Sequence, residues 1–376
     1  MHTTRDNQGF GEDVSGRPDA KAELIFSAII SEHLATGEPV GSKIVSERFS
    51  NATGMSSATV RNVMSDLEEL GLLEQPHTSA GRIPTDRGYR YYVDNLLGVL
   101  KLSDDDLLQI QKELGINDFE IPDNPEKLME RTSHVLSALS QNVGIVVSPS
   151  LANDRLQHIE FVNLSENRVL VVLVSAPNIV HNKIIRMNET IPQEELDRTA
   201  RYLNVEFAGK SLAEIRSEIL RLMHDDKALF DKLLQTAIIL CSQSIEDEEA
   251  VVGEVYIDGM PNILNRNDFG DIDRLRELLK TMEEKSRLVK ILNECISRDN
   301  PTKGGVQVVI GAENLSTSMK DCTLITAPYS IGDGAAFGTL TVLGPTRIEY
   351  ARMISIVGYV AKLLEKIITT EQRKSR

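Results

Sequence analysis

The chain has 376 residues, 41% hydrophobic and 26% charged, which is room for two or three domains and too apolar a composition for a disordered protein. No apolar run approaches the roughly 18–20 residues of a membrane span, and the polar start lacks the apolar core of a secretory signal. A net charge of −15 argues against nucleic acid for the chain as a whole, and the three cysteines (Cys241, Cys295, Cys322), too widely spaced for a disulfide framework or zinc motif, suit a reducing cytoplasm.

Residues 1–20 are polar and without period, and are expected to be a mobile tail. Helical spacing begins at Leu24, with Ile25, Ala28, Ile29 and Leu34 on one face, and breaks at Thr36–Pro39. Ser42 is expected to cap a short helix, Lys43–Phe49, with Ile44, Val45 and Phe49 inward. A third helix starts at Ser56 or Ser57, carries Val60, Val63, Met64, Leu67 and Leu70 on one stripe, and stops at Gly71. Two short strands, Leu72–Gln75 and Arg82–Ile83, flank a polar loop, and Thr85 opens a helix with Tyr89, Tyr92, Val93, Leu96 and Leu97 inward. Three helices, a hairpin and a closing helix predict a winged helix-turn-helix over residues 21–100.

Ser103–Asp106 reads as a helix start within a connecting stretch, with acids at the positive end of the helix dipole. A helix near Glu126–Gln141 leads into strands Gly144–Ser148, Leu156–Leu164, Val169–Ser175 and Ile179–Arg186, and Pro192 opens another helix. Ser211 and Glu214 form a capping box, and the segment beyond carries Leu229, Leu233, Leu234 and Ile238 on a stripe broader than one neighbour can cover. A hairpin of Val251–Asp258 and Asn262–Leu264 and two helices follow, then strands Gly305–Ile310, Cys322–Pro328 and Ala336–Leu343 and a last helix, Arg347–Ile368. One sheet domain interrupted by an inserted helical module explains this order most simply, in an α+β chain.

The third helix carries the best chemical signal. Its apolar stripe turns Ala58, Arg61, Asn62 and Ser65 outward, and Arg and Asn are the side chains that take guanine and adenine bidentately. Ser56, Ser57 and Thr59 at its start are placed to donate to phosphate. The hairpin is expected to expose His77, Thr78, Ser79, Gly81 and Arg82, with Arg82 reaching phosphate or the minor groove. From Gln75 to Tyr92 three arginines (Arg82, Arg87, Arg90) face one acid (Asp86), a local positive balance on an acidic chain. An ordinary solvated helix face and a polar turn are the alternatives for each feature alone. Motifs for phosphate loops, serine hydrolases and zinc proteases are missing, and the histidines fall at no ligand spacing. Gly332–Gly334 reads as a turn between strands and Glu246–Glu249 as a solvated connector. No catalytic residue, metal or cofactor is therefore expected.

The run from Ser56 to Asp94, SSATVRNVMSDLEELGLLEQPHTSAGRIPTDRGYRYYVD, resembles the N-terminal domain of HrcA repressors, as do Val255–Phe269 and Ala327–Val357 their later parts. The resemblance implies a cytoplasmic repressor, nucleoid-associated when bound to its operator. Its winged helix would read the CIRCE inverted repeat upstream of chaperone operons, and the chaperonin GroEL would modulate its activity. It also implies a GAF-like domain over 101–207 and 285–370, split by an inserted dimerisation module over 208–284 that makes a homodimer through Leu229, Leu233, Leu234 and Ile238. A metabolite-sensing repressor of the IclR kind, and more remotely an enzyme oligomerised by its helix-turn-helix, are the alternatives. The first needs a polar-lined pocket and the second a convergent catalytic constellation.

Overall fold

The computed structural model describes residues 17–49, 54–98, 101–115, 125–149, 155–176, 179–187, 189–211, 214–215, 218, 253–264, 266, 268–269, 271–296, 305–331 and 336–374. The expected tail up to Gly16, the dimerisation residues Leu229, Leu233, Leu234 and Ile238, the Gly332–Gly334 turn and the Glu246–Glu249 connector lie outside them.

The head begins with α1 (Ala20–Thr36), started by Asp19, whose carboxylate accepts from the Ala22 amide at 2.8 Å, and ended by Gly37 at φ +75°. Ala22, Ile25, Phe26, Ile29 and Ile30 form its buried stripe, so Leu24, expected inward, lies off that stripe and is 49% exposed. Helix α2 (Ser42–Arg48) is capped by Gly41, not by Ser42, whose hydroxyl instead meets that of Ser57 at 3.0 Å. Of its three expected core residues only Val45 is buried, and Arg48 ties the helix to Glu32 of α1 at 2.6 Å. Helix α3 (Ser57–Glu69) has Ser56 as its cap and buries Val60, Val63, Met64 and Leu67, and Gly71 follows at φ +70°.

Strands β1 (Leu73–Glu74) and β2 (Ile83–Pro84) pair antiparallel, Leu73 opposite Pro84. A third segment joins them, because Val40 and Arg82 exchange both backbone hydrogen bonds at 2.9 Å. Gly81 is required there: a Cβ would sit 2.4 Å from the Val40 carbonyl carbon. Helix α4 (Asp86–Tyr91), continued by a wider π-helical turn to Leu96, starts at Thr85, whose hydroxyl accepts from the Gly88 amide and donates to the Gly71 carbonyl at 2.6 Å. That hydroxyl joins the end of α3 to the start of α4. Thr85→Ala is expected to cost about 1–2 kcal/mol in urea denaturation, and Thr85→Ser to restore most of it.

Helix α5 (Asp104–Glu113) leads to α6 (Pro125–Ser140) and the body, whose sheet comprises β3 (Val143–Val147), β7 (Val255–Asp258), β8 (Gln307–Ile310), β9 (Cys322–Ile331) and β10 (Ala336–Pro345). The order is β7-β3-β10-β9-β8, antiparallel throughout. Its strands are apolar on both faces because helices cover both. On one face Val146, Ile325, Leu340 and Val342 meet α6 and the last helix, α11 (Tyr350–Lys374). On the other, Ile145, Leu324 and Leu343 meet α9 (Ile272–Glu283) and α10 (Lys285–Ile296).

Two expectations are corrected here. Strands β4 (Arg155–Leu164), β5 (Arg168–Ala176) and β6 (Ile179–Arg186) do not continue the sheet of β3. They form a separate three-stranded sheet with their own apolar cluster against α7 (Gln193–Phe207). Consecutive strands with short turns read as one meander, whereas β3 takes its partners from β7 and β10, far along the chain. The interruption of the main sheet thus begins after β3, and α9 belongs with that sheet. Likewise Met260–Leu264 is a short helix, α8, and not the second strand of a hairpin. Gly259 at φ +84° turns the chain out of β7, and the Asn262 side chain donates to the Asn142 carbonyl at 3.0 Å.

Candidate nucleic-acid interface

Helix α3 presents Ala58, Arg61, Asn62 and Ser65 to solvent, opposite its buried stripe, and Thr59 is exposed beside them. The stripe is held from behind: Val60 and Leu67 are fully buried, and the Ser42–Ser57 contact fixes the start of α3 against α2. Of the three hydroxyls expected to face phosphate, that of Ser56 accepts from the Thr59 amide at 3.3 Å and meets the Thr59 hydroxyl at 3.0 Å. Ser57 is half-buried on Ser42. Ser56 and Thr59 therefore face outward as a linked pair, and Ser57 positions the helix start.

In the hairpin, His77, Thr78 and Ser79 are exposed at the tip. Gly81 and Arg82 are not: both are half-buried, because the Val40 segment covers them. The Arg82 guanidinium pairs with Glu68 near the end of α3 at 2.8 Å. This corrects the expectation of an exposed Arg82, whose pairing instead fixes the hairpin against α3. Sequence reasoning missed Gln75, whose side-chain amide donates to the carbonyls of Thr78 at 3.1 Å and Ala80 at 2.9 Å and so shapes the tip. It read Ser42 as a helix cap and missed its contact with Ser57. Neither carries a signal that could be read before the hairpin and α2 are placed.

The local positive balance also dissolves. Arg82 is neutralised by Glu68, and Arg90 points away from the outward face of α3 to Glu313 of the body at 2.6 Å, leaving Arg87 exposed. The case for this surface rests on the geometry of α3, not on charge.

At the last turn of α1, His33 is 9% exposed and donates from Nδ1 to the Glu38 carbonyl at 3.0 Å. Burial holds its pKa below the ordinary 6.5 in spite of that carbonyl. The unfolded chain thus binds the proton more readily, so this contribution to stability is complete above pH 6.5 and is lost as pH falls through the folded-state pKa. His33→Gln is expected to flatten the fall in melting temperature between neutral and mildly acidic pH; an unchanged slope in calorimetry would assign it to other groups.

Among the described residues no cluster of three or more His, Cys, Asp or Glu is placed to hold a metal, and no helix is long and apolar enough to cross a membrane. Residues 126–354 match the family model described as HrcA protein C terminal domain. The chain is 41% identical over 349 residues to the heat-inducible transcription repressor HrcA of Geobacter sulfurreducens, covering 93% of this chain and 98% of that one. It is 38% identical over 344 residues to that of Syntrophobacter fumaroxidans, covering 92% and 95%. A crystal structure described only as that of a hypothetical protein shares the fold, with a TM-score of 0.58 at 24% identity over 94% of this chain and 99% of that one.

A small helical head on an α+β body, in the company of these relatives, defines a DNA-binding regulator of transcription. The chain belongs to the HrcA family, the heat-inducible transcription repressors. It is a negative regulator of heat-shock transcription, and a repressor is not a class of enzyme.

Proposed function

We propose that the chain represses chaperone operons as a cytoplasmic homodimer, each protomer's winged helix laying α3 in the major groove of one half of the CIRCE inverted repeat. The observation that carries this reading is the exposed stripe Ala58, Arg61, Asn62 and Ser65, set back to back with the buried one. Arg61 and Asn62 read base edges, Ser56, Thr59 and Ser65 lie beside the backbone, Ser57 orients the helix, and His77 reaches from the hairpin tip, with Arg82 bracing it.

Dimerisation is assigned to the segment between β3 and β7. Its three-stranded sheet buries Phe161, Val171 and Ile185 against α7 and turns Val162, Leu170 and Ile184 to the opposite face, in register across the three strands. Val162 is 38% and Ile184 56% exposed. A strand reading Arg-Val-Leu-Val-Val-Leu-Val, apolar on both faces, is the pattern of a sheet covered on both. A two-fold partner on the outer face suits an inverted repeat, with Leu229, Leu233, Leu234 and Ile238 completing the interface.

The GAF-like body reads better as scaffold than as metabolite sensor. The fully buried Tyr329 lies over Gly338, where a Cβ would be 2.3 Å from the ring, and its hydroxyl donates to the Val147 carbonyl at 3.1 Å. Heat release then goes through folding: a multidomain chain split by a long insertion passes through intermediates that chaperones bind. GroEL with ATP is expected to raise the operator-competent fraction of refolded protein, counted by titration against CIRCE. An unchanged fraction, with an affinity shift from a small metabolite instead, contradicts the reading.

A further inference from the structure

A small reading head joined to a body through a connecting stretch is by default free to move. Here three features oppose that. The apolar core runs without a break from the head into the body, with Tyr89 of α4 against Tyr350 of α11 at 5.4 Å between ring centroids. The other two are contacts that Arg90 and Arg347 make to residues more than two hundred positions away.

The first joins α4 to the turn after β8. Arg90 forks onto Glu313, Nε to Oε1 at 2.8 Å and Nη2 to Oε2 at 2.6 Å, and also donates to the Val308 carbonyl. Glu313 in turn accepts from the Ile310 amide at 2.9 Å, so one carboxylate fixes both its own turn and the arginine. Asp86, one turn earlier on α4, accepts from the Ala312 amide at 2.8 Å and lies against Gly311, where a Cβ would be 2.0 Å from its carboxylate. The second contact holds the other end of the head. Arg347 forks onto Asp268 at 2.8 and 3.0 Å and donates to the Leu34 carbonyl in the last turn of α1 at 3.1 Å. Its guanidinium carbon lies 3.2 Å from where a Cβ on Gly37 would stand.

Arg90, Glu313, Arg347 and Asp268 are between 18% and 29% exposed, so each pair is largely screened from water. Forked arginine–carboxylate pairs are directional, which apolar contact is not. Arg90–Glu313 bridges head and body directly, while the fork onto Asp268 aims Arg347, from within the body, at the Leu34 carbonyl. Attachments at opposite ends of the head fix an orientation where one would only tether it. We propose that Arg90, Glu313, Asp86, Arg347 and Asp268 are positioning residues that hold the reading helix at a set angle to the body, and so dictate which separation of operator half-sites the protein accepts. The inference rests on the dimeric reading above: with the segment between β3 and β7 paired across the two-fold axis, a head fixed to its own body converts the dimer's geometry into a measure of spacing.

The test uses full-length protein and inverted repeats whose spacer is lengthened or shortened stepwise. Wild-type protein is expected to lose about tenfold or more in affinity at the first step, and the Arg90→Met, Arg347→Met double variant less than about threefold, as flexibly tethered heads do. Affinity for a single half-site should be the same for both. Arg90→Lys, which keeps the charge but loses the fork, should fall between them, and it replaces the double variant if that does not fold. A folded variant with the wild-type spacing profile, or with weaker half-site binding and that profile, overturns the positioning role and leaves the dimer standing. Wild-type protein indifferent to spacing overturns this inference and leaves the dimeric reading standing, whereas saturation of the repeat by one protomer overturns both.

Discussion

Arg61→Ala is expected to weaken operator binding by about 1–3 kcal/mol and to relax the preference at one base pair, because a bidentate arginine is the side chain that separates guanine from the other bases. Arg61 is exposed on α3, one residue from the fully buried Val60, so its removal takes away a reading group without opening the core. Arg82→Ala should behave differently from a lost phosphate contact. Its guanidinium is held by Glu68, so the variant should loosen the hairpin, and Glu68→Gln should reproduce much of the effect. Binding of the two variants to single-base operator substitutions, at fixed salt, separates base reading from support. If Arg61→Ala lowered all affinities alike, base reading would have to be moved off α3.

Ile184→Asp should have the larger effect. A charge in the outer row Val162–Leu170–Ile184 places an unpaired carboxylate in the proposed two-fold contact, while a residue already 56% exposed contributes little to the protomer's own core. The expected product is a folded monomer in sedimentation whose operator affinity falls by about 10²–10⁴-fold, the loss that follows when two linked contacts become one. A protein still dimeric would move the contact to the neighbourhood of Leu234, for which Leu234→Glu is the companion variant.

Local chemistry made much of the head legible in advance. Ser56, Thr85 and Ser103 are caps whose side chains accept from the amide three residues on, and Gly71 takes the left-handed conformation that ends α3. The stripe Val60, Val63, Met64 and Leu67 shows the inner face of α3 and therefore its outer one. What stayed hidden depends on approach in three dimensions. Arg82 meets Glu68 only once the hairpin folds back, and the contacts of Arg90 with Glu313 and of Arg347 with Leu34 join segments more than two hundred residues apart. The division of the strands into two sheets was hidden for the same reason, since local pattern shows that Val143–Val147 is a strand and not which strands flank it. The operator and the chaperonin entered through resemblance, since no residue pattern names either.

The most direct test is a competition titration at one fixed salt concentration, with the full CIRCE inverted repeat against the same bases scrambled, read with the stoichiometry at saturation. Two protomers per repeat and a preference of about 10³-fold or more, as specific binders show, are expected. Equal affinity for the two duplexes, or saturation by one protomer, would contradict the assignment of α3 as the reading element of a dimeric repressor.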